Sequence, residues 1–397
     1  MGAQTKLPVL IAGAGIGGLS AAIALARRGK SVHVLEAESE FAEVGAGLQI
    51  GPNGYHILSA WGLAEKFDAI SARPRTLVIR DGRSSRCLAS MPLGDEIARR
   101  HDAPYSTTER RRLYALLLET AREMSGVTIT SSFRVASIAN FGTPVKVTST
   151  DGRNIEGSAL VCADGARSRL RTQMFGGAPS PSGKVAWRAT AKLSDVPALT
   201  DEHSVGLWMA PNAHLVLYVC GPAGPVNAVA VVDEAAASKR GNASGTGGDG
   251  SATTPDFTDW PTAAQNILSC FAGWIKWPLL HRPPLDSWSK DAVTLLGDAA
   301  HPPLPFLASG AVMAIEDAEV LAAELDYSPD NLAAAFQRYE GRRVRRTNQI
   351  VAASARMGEI YHMDGFMRMS RNAVLAFMPD SMLLRRYDWL YGFRVTE

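Results

Sequence analysis

"VLIAGAGIGGLSAAIALARRGKSVHVLE" runs from Val9 to Glu36. The apolar run Leu7 to Ala12 reads as a buried strand, and Gly13, Gly15 and Gly18 break it in G-x-G-x-x-G spacing. Leu19 to Arg28 is Ala-rich with helical periodicity and stops at Gly29; Val32 to Leu35 is a second apolar strand. Strand, crossover helix and strand predict a parallel, right-handed unit. The glycines let the backbone approach a pyrophosphate, and the helix N-terminus behind them offers amide donors and the positive end of a dipole. Glu36 closes the second strand about 20 residues on, where an acid grips ribose hydroxyls. The unit reads as a site for an ADP-containing dinucleotide. The bland alternative is a tight turn with an incidental acid, and the motif alone does not separate flavin from nicotinamide.

Two later stretches separate them. "ALVCADGARSRLR" (Ala159 to Arg171) is a strand ending in Asp164-Gly165, and "VTLLGDAAHPP" (Val293 to Pro303) is another ending in Gly297-Asp298. A simple dehydrogenase needs one dinucleotide turn. Three strand ends, far apart in sequence, suit one long cofactor extended across a sheet. Between them, residues 185–193, 204–209, 214–220 and 226–232 are strand-like and separated by turn residues, which predicts a mostly antiparallel sheet. After Gly310 the chain reads as helix to about Met357.

The expected fold is therefore α/β: a Rossmann-like FAD-binding domain, an interleaved, mostly antiparallel substrate sheet and a helical C-terminal segment. The FAD-binding parts are expected over 1–75, 105–178 and 288–360, the substrate domain over 76–104 and 179–287, and the C-terminal segment over 361–397. The Gly/Ser/Thr-rich stretch 235–255 reads as a mobile surface loop. The aromatic tail "YDWLYGF" (Tyr387 to Phe393) is expected to dock, or to serve an interface.

Lys and Arg number 41 and Asp and Glu 39 in 397 residues, a net charge of +2. Such a balance makes no field that would gather nucleic acid or an anionic membrane. The densest basic run, "EGRRVRR" (Glu340 to Arg346), is expected on a solvated or ion-paired helix face. Cys87, Cys162, Cys220 and Cys270 form no C-x-x-C pair and read as reduced, buried thiols of a cytoplasmic protein. No apolar run approaches the length of a membrane span, no leader is visible at the N-terminus, and no cluster has metal-ligand spacing.

At "GAGIGG", "ADGARS", "GDAAHPPLPFLASGAVMAIEDA" (Gly297 to Ala318) and "YEGRRVRR" (Tyr339 to Arg346), the sequence resembles the single-component (class A) FAD-dependent aromatic hydroxylases. Within them, "EVGAGLQIGPNG" (Glu43 to Gly54) and "HMDGFMRMSRN" (His362 to Asn372) look most like the 3-hydroxybenzoate 6-hydroxylases, with salicylate hydroxylases next. The resemblance implies non-covalent FAD, NADH or NADPH as a transient electron donor without its own Rossmann domain, O2, and a small aromatic acid hydroxylated through a flavin C4a-hydroperoxide. It also implies a homodimer. It places Asp298 on the ribityl chain, Gly310 at a helix N-terminus aimed at the flavin, and Arg110 reaching the flavin from a helix start. Together with Gly13, Gly15, Gly18, Glu36 and Asp164, these are the expected cofactor-binding residues.

Hydroxylation needs a group that handles a phenol proton, an anchor for a carboxylate and apolar walls. On a strand, His214, Val216 and Tyr218 share one face. His214 is the expected base and Tyr218 the carboxylate donor; a satisfied structural His and a core Tyr are the plainer alternative. By resemblance Tyr105 joins them, and His301 is structural. Two positions depart from the subgroup pattern, Pro305 standing for a Gln and Glu109 for a His, and one departs from the wider family's, Arg112 standing for the acid that usually follows Arg110 by two. The best expectation is conversion of 3-hydroxybenzoate to 2,5-dihydroxybenzoate (gentisate). Salicylate or a hydroxypyridine carboxylate are alternative substrates. A non-hydroxylating FAD oxidoreductase or a non-enzymatic FAD-binding module are more distant readings.

Overall fold

The computed structural model describes residues 7–41, 47–196, 203–235, 255, 257–328 and 331–395. Residues 42–46 and all but the two ends of the 235–255 stretch lie outside the described residues.

Val9–Ala12 is buried along its whole length and pairs in parallel with Val32–Leu35 on one side and Ala159–Cys162 on the other. The six-stranded sheet extends outward to Val127–Thr130 at one edge and through Val293–Leu295 to Ser289–Lys290 at the other. Only the last pair is antiparallel. The unbroken apolar strands "VLIA" and "ALVC" suit a sheet covered on both faces. The crossover helix Ile16–Arg27 packs on it and against the helix Gly310–Tyr327.

A second, seven-stranded sheet runs in the order Ile275–His281, Ser180–Ala191, Val226–Asp233, Ala213–Val219, Ser204–Ala210, Thr76–Asp81, Cys87–Pro92. All its pairs are antiparallel except Ser204–Ala210 with Thr76–Asp81. The strands expected at 185–193, 204–209, 214–220 and 226–232 are all in it. Alternation divides each of its central strands between two environments. Ala213, Leu215, Leu217 and Val219 join Trp187, Trp208, Trp260 and Trp274 in one apolar cluster. His214, Val216 and Tyr218 turn the other way.

Helices Gly310–Tyr327 and Leu332–Tyr361 are pinned together by buried charge. Arg343 is fully buried and forms ion pairs with Glu316 and Asp317, both at 2.7 Å. Glu316 also takes Arg346 (2.8 Å) and the Asn53 amide (2.7 Å). Asp317 also accepts the Gly297 amide (3.0 Å) and pairs with His301 Nε2 (2.5 Å). The run "EGRRVRR" is thus ion-paired as expected, but its central arginine lies in the interior and not on a solvated face. A buried unpaired guanidinium would be prohibitive, and two fully buried carboxylates compensate it.

The thiols are free, but only Cys162 and Cys220 are buried; Cys87 is exposed and Cys270 partly so. Among the described residues no helix is long and apolar enough to cross a membrane, and no group of His, Cys, Asp or Glu could hold a metal ion.

Breaking the buried pair from one side should be costly: Arg343→Leu is expected to lose about 3–5 kcal/mol of stability in urea unfolding. Burial alone would raise the Asp317 pKa, but His301 and Arg343 outweigh it and hold the carboxyl at about 2, below its ordinary 3.8. A depressed folded pKa stabilises above the unfolded value and loses that contribution as pH falls through the folded one. Stability should therefore fall between about pH 4 and 2, and the fall should be shallower in Asp317→Asn.

Candidate active site

The first turn is built by close approach. Gly13 has φ +104°, and a Cβ there would lie 2.6 Å from the Ala163 carbonyl oxygen. A Cβ on Gly18 would lie 1.9 Å from the Gly13 oxygen. Gly15 differs: its backbone is extended, and a Cβ there would meet no protein atom within 4 Å. The space above Gly15 is open, as a cradle for a bulky ligand must be. Glu36 ends the second strand with Oε2 accepting the Ala14 amide at 2.6 Å, which fixes the carboxylate beside the turn.

Gly15, Arg110, Asp298 and Gly310 line one cavity. Gly297–Ala299 is a single 3₁₀ turn that puts Asp298 close to Gly310. The helix beginning at Gly310 has no side-chain cap, because the Ser309 hydroxyl donates to the Leu307 carbonyl instead. Its first amides and its dipole are left for an electron-rich ligand. Asp164 faces away from this wall. Its Oδ2 accepts the amides of Arg169 (3.1 Å) and Leu170 (3.4 Å), while its neighbours Ala163 and Gly165 line the cavity. Its Oδ1 is buried without a hydrogen-bond partner, and burial raises its pKa.

The same cavity continues to the second sheet, where His214, Val216 and Tyr218 form part of its wall. His214 Nδ1 is 2.9 Å from His362 Nε2, and His362 Nδ1 is 2.9 Å from Asp233 Oδ1. An ionised carboxylate only accepts, so His362 carries its proton on Nδ1. Its Nε2 is then bare and accepts from His214 Nδ1–H. That leaves His214 with a bare Nε2 for the cavity. Burial, then the His362 and Lys184 charges, lower the His214 pKa well below 6.5, so the imidazole is neutral. Phe306 and Tyr361 pack against the ring at centroid distances of 5.3 and 5.2 Å and touch each other at 6.3 Å, so they corner it from adjacent directions.

Tyr218 and Tyr105 stand elsewhere in the cavity, bridged by Gln49: the Tyr105 hydroxyl donates to Gln49 Oε1, and Gln49 also bonds Tyr218. Burial raises both tyrosine pKa values, so both hydroxyls stay protonated and can donate. Gly47, on the same strand as Gln49, has no room for a Cβ, which would lie 2.5 Å from Tyr218. Arg188 faces the same space. Burial lowers its pKa, and its Nε is buried without an acceptor among the described residues.

Arg188, His362, Tyr387 and Tyr391 are the residues that sequence reasoning missed. Arg188 carried a signal: a lone charge in "VAWRATA" (Val185 to Ala191) with the parity of the cavity face. His362 carried one only as part of a motif. The aromatic tail does dock, but inward: Tyr387 and Tyr391 line the cavity, and Tyr391 packs edge-on against Tyr105.

Two of the departures explain each other. Glu109 is buried and clamped by Arg111 (2.5 Å) and Arg112 (2.6 Å). The two unexpected residues, Glu109 and Arg112, are thus partners in one ion pair. Glu109 is thereby committed and does not line the cavity. Pro305 opens a 3₁₀ turn in the cavity wall, next to the Phe306 that supports His214. His301 is structural, held by Asp317.

Residues 6–354 match the family described as "FAD binding domain". The chain belongs to that family. It is 35% identical over 389 residues to 3-hydroxybenzoate 6-hydroxylase of Polaromonas naphthalenivorans (strain CJ2), covering 98% of this chain and 96% of that one. It is 34% identical to 3-hydroxybenzoate 6-hydroxylase 1 of Aquipseudomonas alcaligenes, covering 98% of both. The FAD complex of a point variant of Klebsiella pneumoniae HpxO superposes with a TM-score of 0.83 at 24% identity, covering 98% of this chain and 99% of that one, which establishes the shared fold. The chain is a flavoprotein monooxygenase and its cofactor is FAD. The open cradle over Gly15 and the uncapped helix at Gly310 fit that group.

Gly15→Val should fold, because nothing in the protein opposes the side chain, and should lose FAD. Flavin absorbance after gel filtration checks it, and full occupancy would remove Gly15 from the pyrophosphate site. Asp298→Ala should weaken FAD about tenfold or more, the value of a charge-assisted hydrogen bond, measured as a dissociation constant.

Proposed function

We propose that the enzyme uses NADH and O2 to hydroxylate a phenolic aromatic acid, with 3-hydroxybenzoate converted to 2,5-dihydroxybenzoate as the best assignment. The observation that carries this is one cavity that joins the open glycine turn to a wall holding a bare imidazole nitrogen and a guanidinium with an unsatisfied donor. The two relatives named for 3-hydroxybenzoate support the choice of ring.

When bound and reduced, FAD activates O2 and delivers one oxygen atom to the ring. Gly13, Gly15, Gly18, Glu36, Arg110, Asp298 and Gly310 would hold it, with the Gly310 helix dipole favouring negative charge on the ligand; Asp164, expected among them, is turned to the Arg169 and Leu170 amides instead. Arg188 and Tyr218 take the substrate carboxylate by an ion pair and a charge-assisted hydrogen bond. Tyr105 orients Tyr218 through Gln49. His214 Nε2 accepts the phenol proton, which makes the ring electron-rich. Val216, Val229 and Leu207 exclude water from the reacting face.

Spacing favours a meta over an ortho acid. His214 and Tyr218 are four residues apart on one strand, roughly 13 Å between Cα atoms. A meta acid holds its carboxylate and hydroxyl further apart than salicylate does, which suits two groups so spaced. On this reading the substrate domain comprises 76–104 and 179–287. The family resemblance supports a cytoplasmic homodimer.

With 3-hydroxybenzoate, His214→Asn should reduce hydroxylation roughly 100-fold, the low end of general-base assistance. It should leave flavin reduction intact, so hydrogen peroxide replaces product. Tyr218→Phe and Arg188→Met should raise the apparent substrate constant with the coupling ratio kept. In the wild type, the acid limb of kcat/KM should lie below the ordinary histidine range, because the lowered His214 pKa keeps the base form to lower pH. Salicylate turned over with tighter coupling than 3-hydroxybenzoate would overturn the substrate assignment.

A further inference from the structure

We propose that His362 and Asp233 form the outlet by which the substrate's hydroxyl proton leaves the buried His214 for solvent, with Lys184 holding the outer carboxylate. This rests on the hydroxylase reading above and extends it beyond the base itself. His214 is only 2% exposed, so a proton it takes has no direct way out. The 2.9 Å contacts to His362 and from there to Asp233 lead in two steps to a side chain that is 28% exposed.

The corner is built to hold that line. Lys184 lies opposite Asp233 in the strand register and pairs with it. The Asn212 amide donates to the His362 carbonyl (3.2 Å), and the Asp233 amide donates to the Asn212 carbonyl (2.9 Å). Arg371 clamps the carbonyls of Ile360 and Tyr361 (2.8 and 2.9 Å) just before His362. Arg368 and Asn372 tie the next helix to Asp81. The motif "HMDGFMRMSRN" is therefore one imidazole and the anchors that aim it.

The transfer balances without a change of oxidation state. The phenol O–H breaks as His214 Nε2–H forms. His214 Nδ1–H passes to His362 Nε2, His362 Nδ1–H passes to Asp233, and Asp233 gives its proton to water. The reverse passage reprotonates the product and restores both tautomers. The titratable and charged groups facing the line are few. His214 faces His362 and Tyr361, with Lys184 nearby; His362 faces Asp233, Lys184 and Arg371. His362 and Asp233 are positioning and relay residues that act through His214.

The test mixes oxidised FAD-loaded enzyme with 3-hydroxybenzoate in weak buffer containing a pH indicator dye, in a stopped-flow instrument. Wild-type enzyme should release a proton on binding. His362→Ala and Asp233→Asn should bind, as seen by the flavin spectral change, but release the proton about tenfold or more slowly, a small part of what general-base assistance is worth. Added imidazole should restore His362→Ala, and the acid limb of hydroxylation should move to higher pH in both variants. Asp233→Asn keeps an acceptor oxygen and carries the test if His362→Ala does not fold. Proton release at the wild-type rate in both variants would overturn the outlet, as would wild-type enzyme that binds 3-hydroxybenzoate and releases no proton at any pH. Wild-type enzyme that does not bind the acid would overturn the substrate assignment and the outlet with it.

Discussion

The Asp317 carboxylate is the point on which this molecule turns. It sits in the interior and collects the amide of Gly297, the imidazole of His301 and the guanidinium of Arg343. Those three groups belong to the turn that presents Asp298, to the segment that follows it, and to the longest helix. One fully buried charge thereby sets where the cofactor turn lies relative to the two helices behind it. Glu316, one residue earlier, does the same for Asn53 and the tail, through Arg346, whose guanidinium also reaches the carbonyls of Trp389 and Leu390. Replacing such a cluster by apolar groups is often neutral for stability. Its use here is registry: a carboxylate that must satisfy three partners admits one arrangement of them.

The parts that local rules govern were legible in the sequence. Gly13, Gly15, Gly18 and Glu36 could be placed because strand, turn and helix are encoded within 28 consecutive residues. His214, Val216 and Tyr218 could be placed on one face because strand alternation holds over so short a span. What escaped was whatever depended on a distant element. Arg343 reads as surface until the two carboxylates from another helix are beside it. Arg188 reads as an odd charge in a strand until the cavity opens under it. His362 gains meaning only when a helix end comes to rest on the edge of a sheet strand 148 residues away. The Glu109–Arg112 pair shows the converse: two departures that look unrelated one at a time prove to be partners when the side chains are seen touching.

The cavity is built on a division of labour between its ends. On the proposed reading, charge at the flavin end would be met by backbone amides and a helix dipole beside Arg110 and Asp298. Charge at the substrate end would be met by a buried imidazole and a buried guanidinium. Tyr105, Tyr218, Tyr361 and Tyr391 stay protonated throughout, so they donate without competing for the proton.

The tail that closes this cavity has a consequence for synthesis. Tyr391 packs against Tyr105 and fills the space over Gly51, and Asp388 ties that turn to Arg100. The glycine turn emerges from the ribosome about 370 residues before this piece of wall. At about 5–20 residues per second the interval is on the order of 20–75 s. Through that time the flavin half can assemble its strands only up to whatever has been made, and the aromatic lining waits for its final member. Completion of the aromatic wall therefore waits on a segment made about 370 residues after the glycine turn, whose residues take no part in the first sheet.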